Sequence, residues 1–393
     1  MNPAKASDDQ CAVPLPAASS ERFSVTYRIT VADGRRIEDH ATDITLEQSV
    51  EIPADVVTEE ITRAGVVGRI ESISAVSEAD KRYDVVISFR VDNTAFSIPQ
   101  FLNVLFGNIS IKRGIKIIAI DLPPSLLRAL RGPVFGIDGI RDLIGVHGRP
   151  LASTALKPIG LSARQIADMA GAYARGGLDL IKEDHGMADL VYHRFEERVA
   201  RCQDAVATAN ARTGAKTLYF PMINGGFDEI EAQFAFACSK GVAGALVAPL
   251  LVGPDTIRTL GRRYNMVIMA HPTFAGTHFH DPNHGMTPAV LLGTIFRLIG
   301  SDISVFPNAG GRFSFTEIEC RDLAAALRSP LHSIKPAFPA PAGGMKVDRI
   351  GGLAEAFGID TVLLIGGGLM QYSPDLEKSA AFFMQTIHKQ YGQ

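Results

Sequence analysis

Short apolar runs and longer amphipathic stretches alternate along the chain from about residue 150 onward. Each apolar run has the length of a β-strand, and each amphipathic stretch repeats its apolar residues every three to four positions, as helices do. The helical spacing is clearest over 162–175 and 227–240. Eight strands are predicted, over 151–157, 178–184, 217–224, 244–250, 266–272, 302–307, 332–339 and 361–368.

Eight consecutive strand-helix units predict an α/β fold with a C-terminal (β/α)8 TIM barrel. Continuous apolar strands are typical of parallel sheets that are covered on both faces, and eight of them close most naturally into a barrel. A doubly wound open sheet is the alternative. No G-x-G-x-x-G follows the first strand, which disfavours that alternative.

The first third of the chain has a different pattern of apolar residues. Strands are predicted over 22–30, 83–91 and 114–122, and helices over 45–52 and 98–107. Strands interleaved with two helices indicate a small α+β domain of the ferredoxin-like kind. We therefore expect a disordered tail (1–21), an N-terminal α+β domain (22–130) and a barrel domain (131–393).

Composition narrows the possible partners and compartments. Lys+Arg 39 against Asp+Glu 42 leave a net charge of −3 without a basic stripe, so nucleic acid is not an expected partner. The four cysteines are scattered without a C-x-x-C pair, which is typical of reduced thiols. The longest apolar run, 241–253, is too short to span a bilayer, and the first twenty residues lack the features of a signal peptide. We expect a cytoplasmic protein without a membrane partner.

Four ionisable residues end the second predicted barrel strand, "LDLIKEDH". Lys182 and Asp184 share one face because side chains alternate along a strand, and His185 follows them. Barrels of this kind carry out their chemistry at the C-terminal ends of the strands. A structural ion pair is the plain alternative for Lys182 and Asp184, but their position favours a metal site.

Further polar and glycine residues end the other strands. Glycine-rich turns allow backbone N–H groups to approach an anion closely, which makes the last two turns candidates for a phosphate site. A tight turn without a ligand is the alternative for the glycine triplet. The strand ends carry Lys157, Asn224, His271, Arg312, Gly343, Gly344, Gly366, Gly367 and Gly368.

A histidine-rich stretch, "HPTFAGTHFHDPNHG", follows the fifth strand. It holds His271, His278, His280 and His284, and its H-x-H pair leaves an independent zinc site open. A loop that contacts the substrate is the favoured interpretation, because most loop histidines are not metal ligands.

Two segments resemble a known family. "LKPIGLSARQ" (156–165) resembles the lysine-proline-lysine-leucine-glycine-leucine-serine segment of the ribulose-bisphosphate carboxylase (RuBisCO) large chain, and "GGLDLIKEDH" (176–185) resembles its metal-binding strand. The chain is similar to the RuBisCO-like (type IV) proteins, which do not fix carbon, from about residue 22 to 375 in element order. The resemblance implies a head-to-tail homodimer, or a larger even oligomer, in which the N-terminal domain of one subunit covers the barrel mouth of the other.

The resemblance also implies roles for individual residues. Lys182, carbamylated by carbon dioxide, would bind Mg²⁺ together with Asp184, and the third ligand position falls on His185. Lys157 matches the lysine that handles the proton during enolisation. The remaining matches are His271 as a substrate-binding histidine, Arg312 in place of the loop-six lysine, Gly343, Gly344, Gly367 and Gly368 as the phosphate-binding backbone, and Glu47 and Asn108 as residues donated by the partner subunit.

Several positions depart from the family pattern. The third metal ligand is usually glutamate but is His185 here, the second lysine of the strand-one motif is Ile159, and the arginine after the strand-five histidine is Pro272. Carboxylation of ribulose bisphosphate is therefore not expected. The glycine pair and triplet retain one phosphate site while the other loses its arginine, so we expect a substrate with one phosphate.

The expected chemistry follows from these groups. Mg²⁺ prefers oxygen ligands, and burial lowers the pKa of a lysine toward the neutral form that carbon dioxide can carbamylate. A histidine ligand favours transition metals, so Mn²⁺ is the alternative metal. The alternative role of His185 is to face the substrate without binding the metal. Such a site stabilises an enediolate.

We expect decarboxylation of a 3-oxo-isoapionate 4-phosphate type of substrate. Transcarboxylating or hydrolytic cleavage of the same compound is one alternative. An enolase or isomerase that acts on a methylthio-pentulose phosphate, as in methionine salvage, is a second. A non-catalytic scaffold on the same fold is a third.

Overall fold

A computed structural model describes residues 20–391 of the chain, apart from residues 33, 346, 348 and 349. The predicted disordered tail therefore lies outside the described residues, except for residues 20 and 21. None of the helices in the described part of the chain has the length and apolar character needed to cross a bilayer.

The N-terminal domain is an antiparallel β-sheet with helices packed on it. Its strands are β1 (Arg22–Thr30), β2 (Arg69–Ser77), β3 (Arg82–Arg90) and β4 (Ile115–Asp121), in the antiparallel order β4-β1-β3-β2. Side chains of β1 alternate between buried and half-buried along its whole length, as expected for a strand with one face on a core. The helices are α1 (Ile37–Glu47), α2 (Glu59–Ala64) and α3 (Ile98–Phe106), with 3₁₀ turns at Ala54–Val56, Val91–Thr94 and Asn108–Ile111.

Three of the four strands and α3 confirm the sequence predictions, but one predicted helix is wrong in its bounds, and β2 and α2 were not predicted. The helix predicted over 45–52 ends at Glu47, because the chain then turns and Gln48 donates its side-chain amide to the carbonyls of Asn103 and Val104. Glu51 has a φ of 57°, which no helix accommodates. Strand β2 was not predicted. Its residues are mostly exposed, so it shows no buried alternation.

The rest of the chain forms the barrel. Its eight strands are β5 (Leu151–Leu156), β6 (Leu180–Glu183), β7 (Leu218–Phe220), β8 (Gly244–Val247), β9 (Val267–Ala270), β11 (Ile303–Pro307), β12 (Phe338–Ala342) and β13 (Val362–Leu364), and a short strand β10 (Gly285–Met286) follows β9. Helix α4 (Pro124–Leu130) precedes the barrel. The helices that follow it are α5 (Gly136–Ile144), α6 (Ala163–Arg175), α7 (Phe195–Thr213), α8 (Phe227–Ser239), α9 (Pro249–Val252), α10 (Pro254–Arg263), α11 (Phe296–Leu298), α12 (Glu317–Arg328), α13 (Ile350–Phe357), α14 (Gly367–Tyr372) and α15 (Leu376–Tyr391), with a 3₁₀ turn at Gly276–His278 and a π-helix at Ala289–Ile295.

All eight barrel strands run parallel and close into a ring. Two hydrogen-bonded groups, β13-β5-β6-β7 and β8-β9-β11-β12, are joined by a parallel bridge between Met222 and Leu246 on one side and by packing of β12 against β13 on the other. The closed ring confirms the (β/α)8 prediction, and the open-sheet alternative is wrong. The seventh strand was predicted over 332–339 but lies at Phe338–Ala342, where it pairs in parallel with β11. The first half of the predicted segment instead forms a turn, closed by a bridge between Leu331 and Ile334.

A loop of the barrel completes the N-terminal sheet. Strand β10 pairs in parallel with β4, with Gly285 opposite Lys116 and Met286 opposite Ile117. The Lys116 ammonium also donates to the carbonyls of Phe279 and Asp281, 3.2 and 2.6 Å away. We propose residue 130, the last residue of α4, as the domain boundary, with β10 as the barrel's contribution to the first domain.

Candidate active site

One cavity of about 590 Å³ opens at the C-terminal ends of the barrel strands. It brings together residues that lie more than two hundred positions apart in the chain. Every barrel residue predicted to act in the site lines it: Lys157, Lys182, Asp184, His185, His271, Arg312, Gly343, Gly344, Gly367 and Gly368. Asn224 is the exception among the strand-end residues, and its backbone is hydrogen-bonded to the side chain of Gln233 instead.

Strand β6 presents Lys182 to the cavity and Glu183 to the opposite side. Lys182 is only 3% exposed, and its Nζ donates to the carbonyl of Glu183 at 2.9 Å. Burial lowers the pKa of Lys182 to about 8, although the carboxylate of Asp184 opposes this shift. The side chain is therefore an amine that becomes neutral near physiological pH.

Asp184 and His185 continue the strand into the mouth. The backbone N–H of Gly186 donates to Asp184 Oδ1 at 3.1 Å, and His185 Nδ1 lies 3.3 Å from the same oxygen. His185 is about half exposed, and partial burial lowers its pKa even though Asp184 acts in the opposite direction. The carboxylate is thus oriented, while the imidazole stays neutral in most of the physiological range.

His271 follows β9 and stands against His185. Its Nδ1 lies 2.6 Å from the hydroxyl of Thr273, and its ring is parallel to the ring of His185. Burial holds the pKa of His271 well below its usual value, and Lys182 lowers it further. A neutral imidazole with Nδ1 engaged in this way can offer Nε2 to a substrate.

Lys157 extends from the end of β5 across to the turn after β13. A Cβ atom placed on Gly366 would lie 3.0 Å from Lys157 Nζ and 3.1 Å from its Cε. The absence of a side chain at residue 366 therefore makes room for the lysine. The positive charge of Lys157 also contributes to the lowered pKa of Lys182, so the two amines lie within electrostatic reach of each other.

The glycine pair after β12 adopts a backbone that other residues rarely reach. Gly343 and Gly344 have φ values of 88° and 95°. The N–H of Arg312 donates to the carbonyl of Gly343 at 3.0 Å, so the turn after β11 packs on this pair. Gly367 begins α14, and nothing lies within 4 Å of a Cβ placed on it. The open space at Gly367 suits the close approach of an anion.

The residues predicted to be donated to a partner subunit lie elsewhere in the chain's own fold. Asn108 Nδ2 donates to Glu47 at 3.0 Å and to Glu51 at 2.9 Å. They line a second cavity, of about 470 Å³, whose described lining comes entirely from the N-terminal domain. Glu47 and Asn108 are thus paired with each other and lie apart from the active-site cavity of their own subunit, and their role in a partner's site remains a prediction.

The histidines of the loop after β9 point in different directions. His280 lines the active-site cavity, whereas His278 and His284 line a separate cavity of about 340 Å³ between the two domains. The H-x-H pair therefore faces two cavities, which argues against a shared zinc ion.

The residues at the mouth fit a magnesium ion in one way. Among the described residues, no group of three or more His, Cys, Asp and Glu side chains is placed to hold a metal. Asp184 is the one carboxylate among the described residues that line the cavity. Glu183 is fully buried behind it in an ion pair with Arg198. An oxygen-rich site requires Lys182 to supply an oxygen as a carbamate, and its burial and lowered pKa suit that reaction.

Sequence analysis missed an apolar wall of the cavity. Phe279, Phe313 and Phe315 line it, and the rings of Phe279 and Phe315 meet edge to face with centroids 5.4 Å apart. The guanidinium of Arg312 lies over the ring of Phe313, 5.6 Å from its centroid. Phenylalanines in loops show no periodicity, so only the pair in "RFSF" could have indicated them.

Comparison with known proteins points to one family. The sequence model of the family "Ribulose bisphosphate carboxylase large chain, catalytic domain" matches residues 136–310. "Ribulose bisphosphate carboxylase-like protein 1" of Rhodopseudomonas palustris is 38% identical over 94% of this chain and 98% of its own length. "5-methylthioribulose-1-phosphate isomerase" of Rhodospirillum rubrum is 35% identical over 94% of this chain and 96% of its own length.

Solved structures share the whole architecture. A Rubisco-like protein from Rhodopseudomonas palustris superposes with a TM-score of 0.85 at 37% identity, over 95% of this chain and 99% of that one. An octameric ribulose-1,5-bisphosphate carboxylase/oxygenase from Pyrococcus horikoshii OT3 superposes with a TM-score of 0.88 at 25% identity, over 94% of this chain and 88% of that one. The chain therefore belongs to the RuBisCO large-chain family and is one of its RuBisCO-like proteins.

Proposed function

We propose that this protein is a Mg²⁺-dependent enzyme that forms an enediolate from a singly phosphorylated keto sugar acid, by decarboxylating a substrate of the 3-oxo-isoapionate 4-phosphate type. One observation carries the proposal. Lys157, Lys182 and Asp184 line the same cavity as the two late glycine turns. A proton carrier, the candidate metal ligands and a candidate phosphate cradle thus face one space.

Lys182 and Asp184 would hold the ion, with His185 beside them. Mg²⁺ at this position supplies Lewis-acid stabilisation of negative charge on neighbouring substrate oxygens. In a β-keto acid whose α carbon carries a hydroxyl group, the bond to the carboxylate carbon breaks and its electron pair moves toward the ketone, so carbon dioxide leaves and an enediolate remains. The Lys157 ammonium then donates a proton to the enediolate, and solvent reprotonates the resulting amine.

The charges of the cavity suit an anionic substrate. Lys157 and Arg312 contribute positive charge, and Asp184 contributes one carboxylate. With Lys182 carbamylated and Mg²⁺ bound, the site remains net positive. A phosphate together with a carboxylate complements that charge, and Arg312 can pair with either group.

The glycine turns support a single phosphate. Gly343, Gly344, Gly367 and Gly368 form one side of the cavity, and the position next to His271 holds Pro272, which has neither a charge nor an N–H group. The wall around Pro272 therefore lacks the arginine that a second phosphate would need. This asymmetry supports a monophosphate over a bisphosphate.

The apolar wall favours a second candidate. Phe279, Phe313 and Phe315 would suit an apolar substituent such as a methylthio group. The relative from Rhodospirillum rubrum that is 35% identical carries the name 5-methylthioribulose-1-phosphate isomerase. Isomerisation or enolisation of a methylthio-pentulose phosphate would use the same metal site and the same lysine without loss of carbon.

A direct comparison of two substrates tests the proposal. The purified protein is incubated with Mg²⁺ and bicarbonate in D₂O and is given either 3-oxo-isoapionate 4-phosphate or 5-methylthioribulose 1-phosphate. Release of carbon dioxide from the first supports decarboxylation. Deuterium uptake or a new isomer of the second, without loss of carbon, supports the isomerase or enolase. Turnover that persists in Lys182→Ala would contradict both.

We also propose a homodimer or a larger even oligomer, in which Glu47 and Asn108 of one subunit reach the barrel mouth of another. The octameric assembly named for the Pyrococcus horikoshii structure supports an even oligomer. The exposed position of Asn108 and its pairing with Glu47 support a role at a surface that a second subunit can reach.

A further inference from the structure

The strand that bears the candidate metal ligands is held from behind by a buried ion pair. Arg198, on α7, donates its Nε to Glu183 Oε1 at 2.6 Å, and both side chains are 0% exposed. Glu183 lies in sequence between Lys182 and Asp184 but faces away from the cavity. Its carboxylate also accepts from the hydroxyl of Tyr219 and, at 2.8 Å, from the N–H of Met222. Three elements therefore converge on one carboxylate.

The same arginine holds the loop that follows the strand. Its remaining nitrogens donate to the carbonyls of Met187, Ala188 and His193, and one of them also contacts His193 Nδ1 at 2.8 Å. Arg198 thus binds the strand end and the loop together through five acceptors. A planar guanidinium can do this because its donors point in fixed directions.

These bonds reach the candidate ligands through the backbone. The Lys182 ammonium donates to the carbonyl of Glu183, the residue whose side chain Arg198 fixes. Met187, whose carbonyl Arg198 holds, donates its own N–H to the carbonyl of Asp184. Gly186, between them, orients the Asp184 carboxylate with its N–H. Lys182 is thus hydrogen-bonded to Glu183 and Asp184 to Met187, and Arg198 contacts both Glu183 and Met187.

We infer that the Glu183–Arg198 pair is a positioning device for the metal site, which holds Lys182 and Asp184 in the geometry that carbamylation and Mg²⁺ binding require. Arg198 and Glu183 are positioning residues and not catalytic ones, because neither lines the cavity. Partners behind metal ligands commonly control affinity in this way. The inference rests on the proposed metal site at Lys182.

The chain contains a matched control at the other end of the same strand. Arg149 pairs with Asp179, the residue before β6, through two bonds of 2.7 and 2.9 Å, and both side chains are 6% exposed. Asp179 also accepts from the N–H of Ala152. The pair is buried and multiply bonded like the first one, but it lies at the N-terminal end of the barrel, far from the mouth.

The test compares R198K with R149K. Each variant keeps the charge but loses the fork of donors, so both should melt at a lower temperature than the wild type. The metal site is measured without substrate, by titrating Mg²⁺ into the protein with ¹³C-bicarbonate and recording the carbamate signal by ¹³C NMR. We expect R198K to raise the half-saturating Mg²⁺ concentration at least about tenfold, and R149K to change it by less than about twofold.

A milder variant covers the case in which R198K does not fold. Y219F removes only the hydroxyl that donates to Glu183, and it should also raise the half-saturating Mg²⁺ concentration while R149K does not. Wild-type affinity in both R198K and Y219F, or an equal shift in R149K, would overturn the inference. Absence of the carbamate signal in the wild-type protein would instead overturn the proposed metal site, and the inference with it.

Discussion

The imidazole ring of His185 stacks on that of His271, with centroids 4.4 Å apart and planes 9° from parallel. The stack fixes the orientation of a residue that stands where the family usually has glutamate. It also holds His185 Nδ1 3.3 Å from Asp184 Oδ1. If the proposed metal ion also binds this imidazole, its site would be softer than one built from oxygens alone.

His185 should therefore set the metal preference. Replacing His185 with Glu restores an oxygen ligand, so the ratio of Mn²⁺ to Mg²⁺ affinity should fall by about tenfold, which corresponds to roughly 1.4 kcal/mol. The two affinities are measured by calorimetric titration in bicarbonate buffer. An unchanged ratio would mean that His185 faces the substrate and does not bind the metal. His271→Gln serves as the control, because it removes the stacking of the two imidazole rings but keeps His185.

Activation by carbon dioxide should depend on pH through Lys182. Burial lowers its pKa from 10.5 to about 8, and only the neutral amine reacts with carbon dioxide. About half of the amine is then neutral at pH 8, so the rate of carbamylation at fixed dissolved carbon dioxide should rise from pH 7 and level off above about pH 9. A stopped-flow or NMR time course checks this profile, and a rate that still rises nearly tenfold between pH 8 and pH 9, as an unshifted lysine would give, would contradict it.

Gly366 should be required for the position of Lys157. In Gly366→Ala, the new Cβ would lie 3.0 Å from Lys157 Nζ, so the ammonium must shift by a few tenths of an ångström and turnover should fall by about tenfold, less than complete loss of a proton carrier would cause. The expected loss is in kcat more than in KM. Gly352→Ala is the matched control, because a Cβ there meets nothing within 4 Å. Equal kcat in Gly366→Ala and the wild type would show that Lys157 does not act from this position.

The active site should be shared between subunits. We expect Lys182→Ala to inactivate the barrel of its own chain and Asn108→Ala to inactivate the site of the partner. Hybrids of the two variants then contain one intact site per dimer, and a randomly assembled equal mixture should recover roughly a quarter of wild-type activity. Coexpression with two affinity tags isolates the hybrid. No recovery would place Asn108 in the site of its own subunit, and an Asn108→Ala homodimer that stays active would place it outside any site.

The barrel was predictable because its strands are buried on both faces. Strand β5, for example, is buried at all six residues, so it appears in the sequence as one apolar run. The same logic fails for β2, which has almost no buried residue, and for β10, which has only two residues and owes its pairing to β4. Contacts made across the fold leave no local period in the sequence.

The active site was predictable wherever a motif or a strand end marked it. Lys182 and Asp184 follow from alternation along the strand, and the structure places both in the cavity. The role of Glu183 was not predictable, because its partner Arg198 lies fifteen residues away on the next helix. The aromatic wall was missed for the same reason, since Phe279 and Phe315 meet only in three dimensions.

A crystal structure of the protein grown with MgCl₂ and bicarbonate would test the metal site most directly. The account predicts extra density on Lys182 Nζ that fits a carbamate, with a metal ion bound to it and to a carboxylate oxygen of Asp184. An unmodified Lys182 amine, or an ion bound away from these two side chains, would contradict the account.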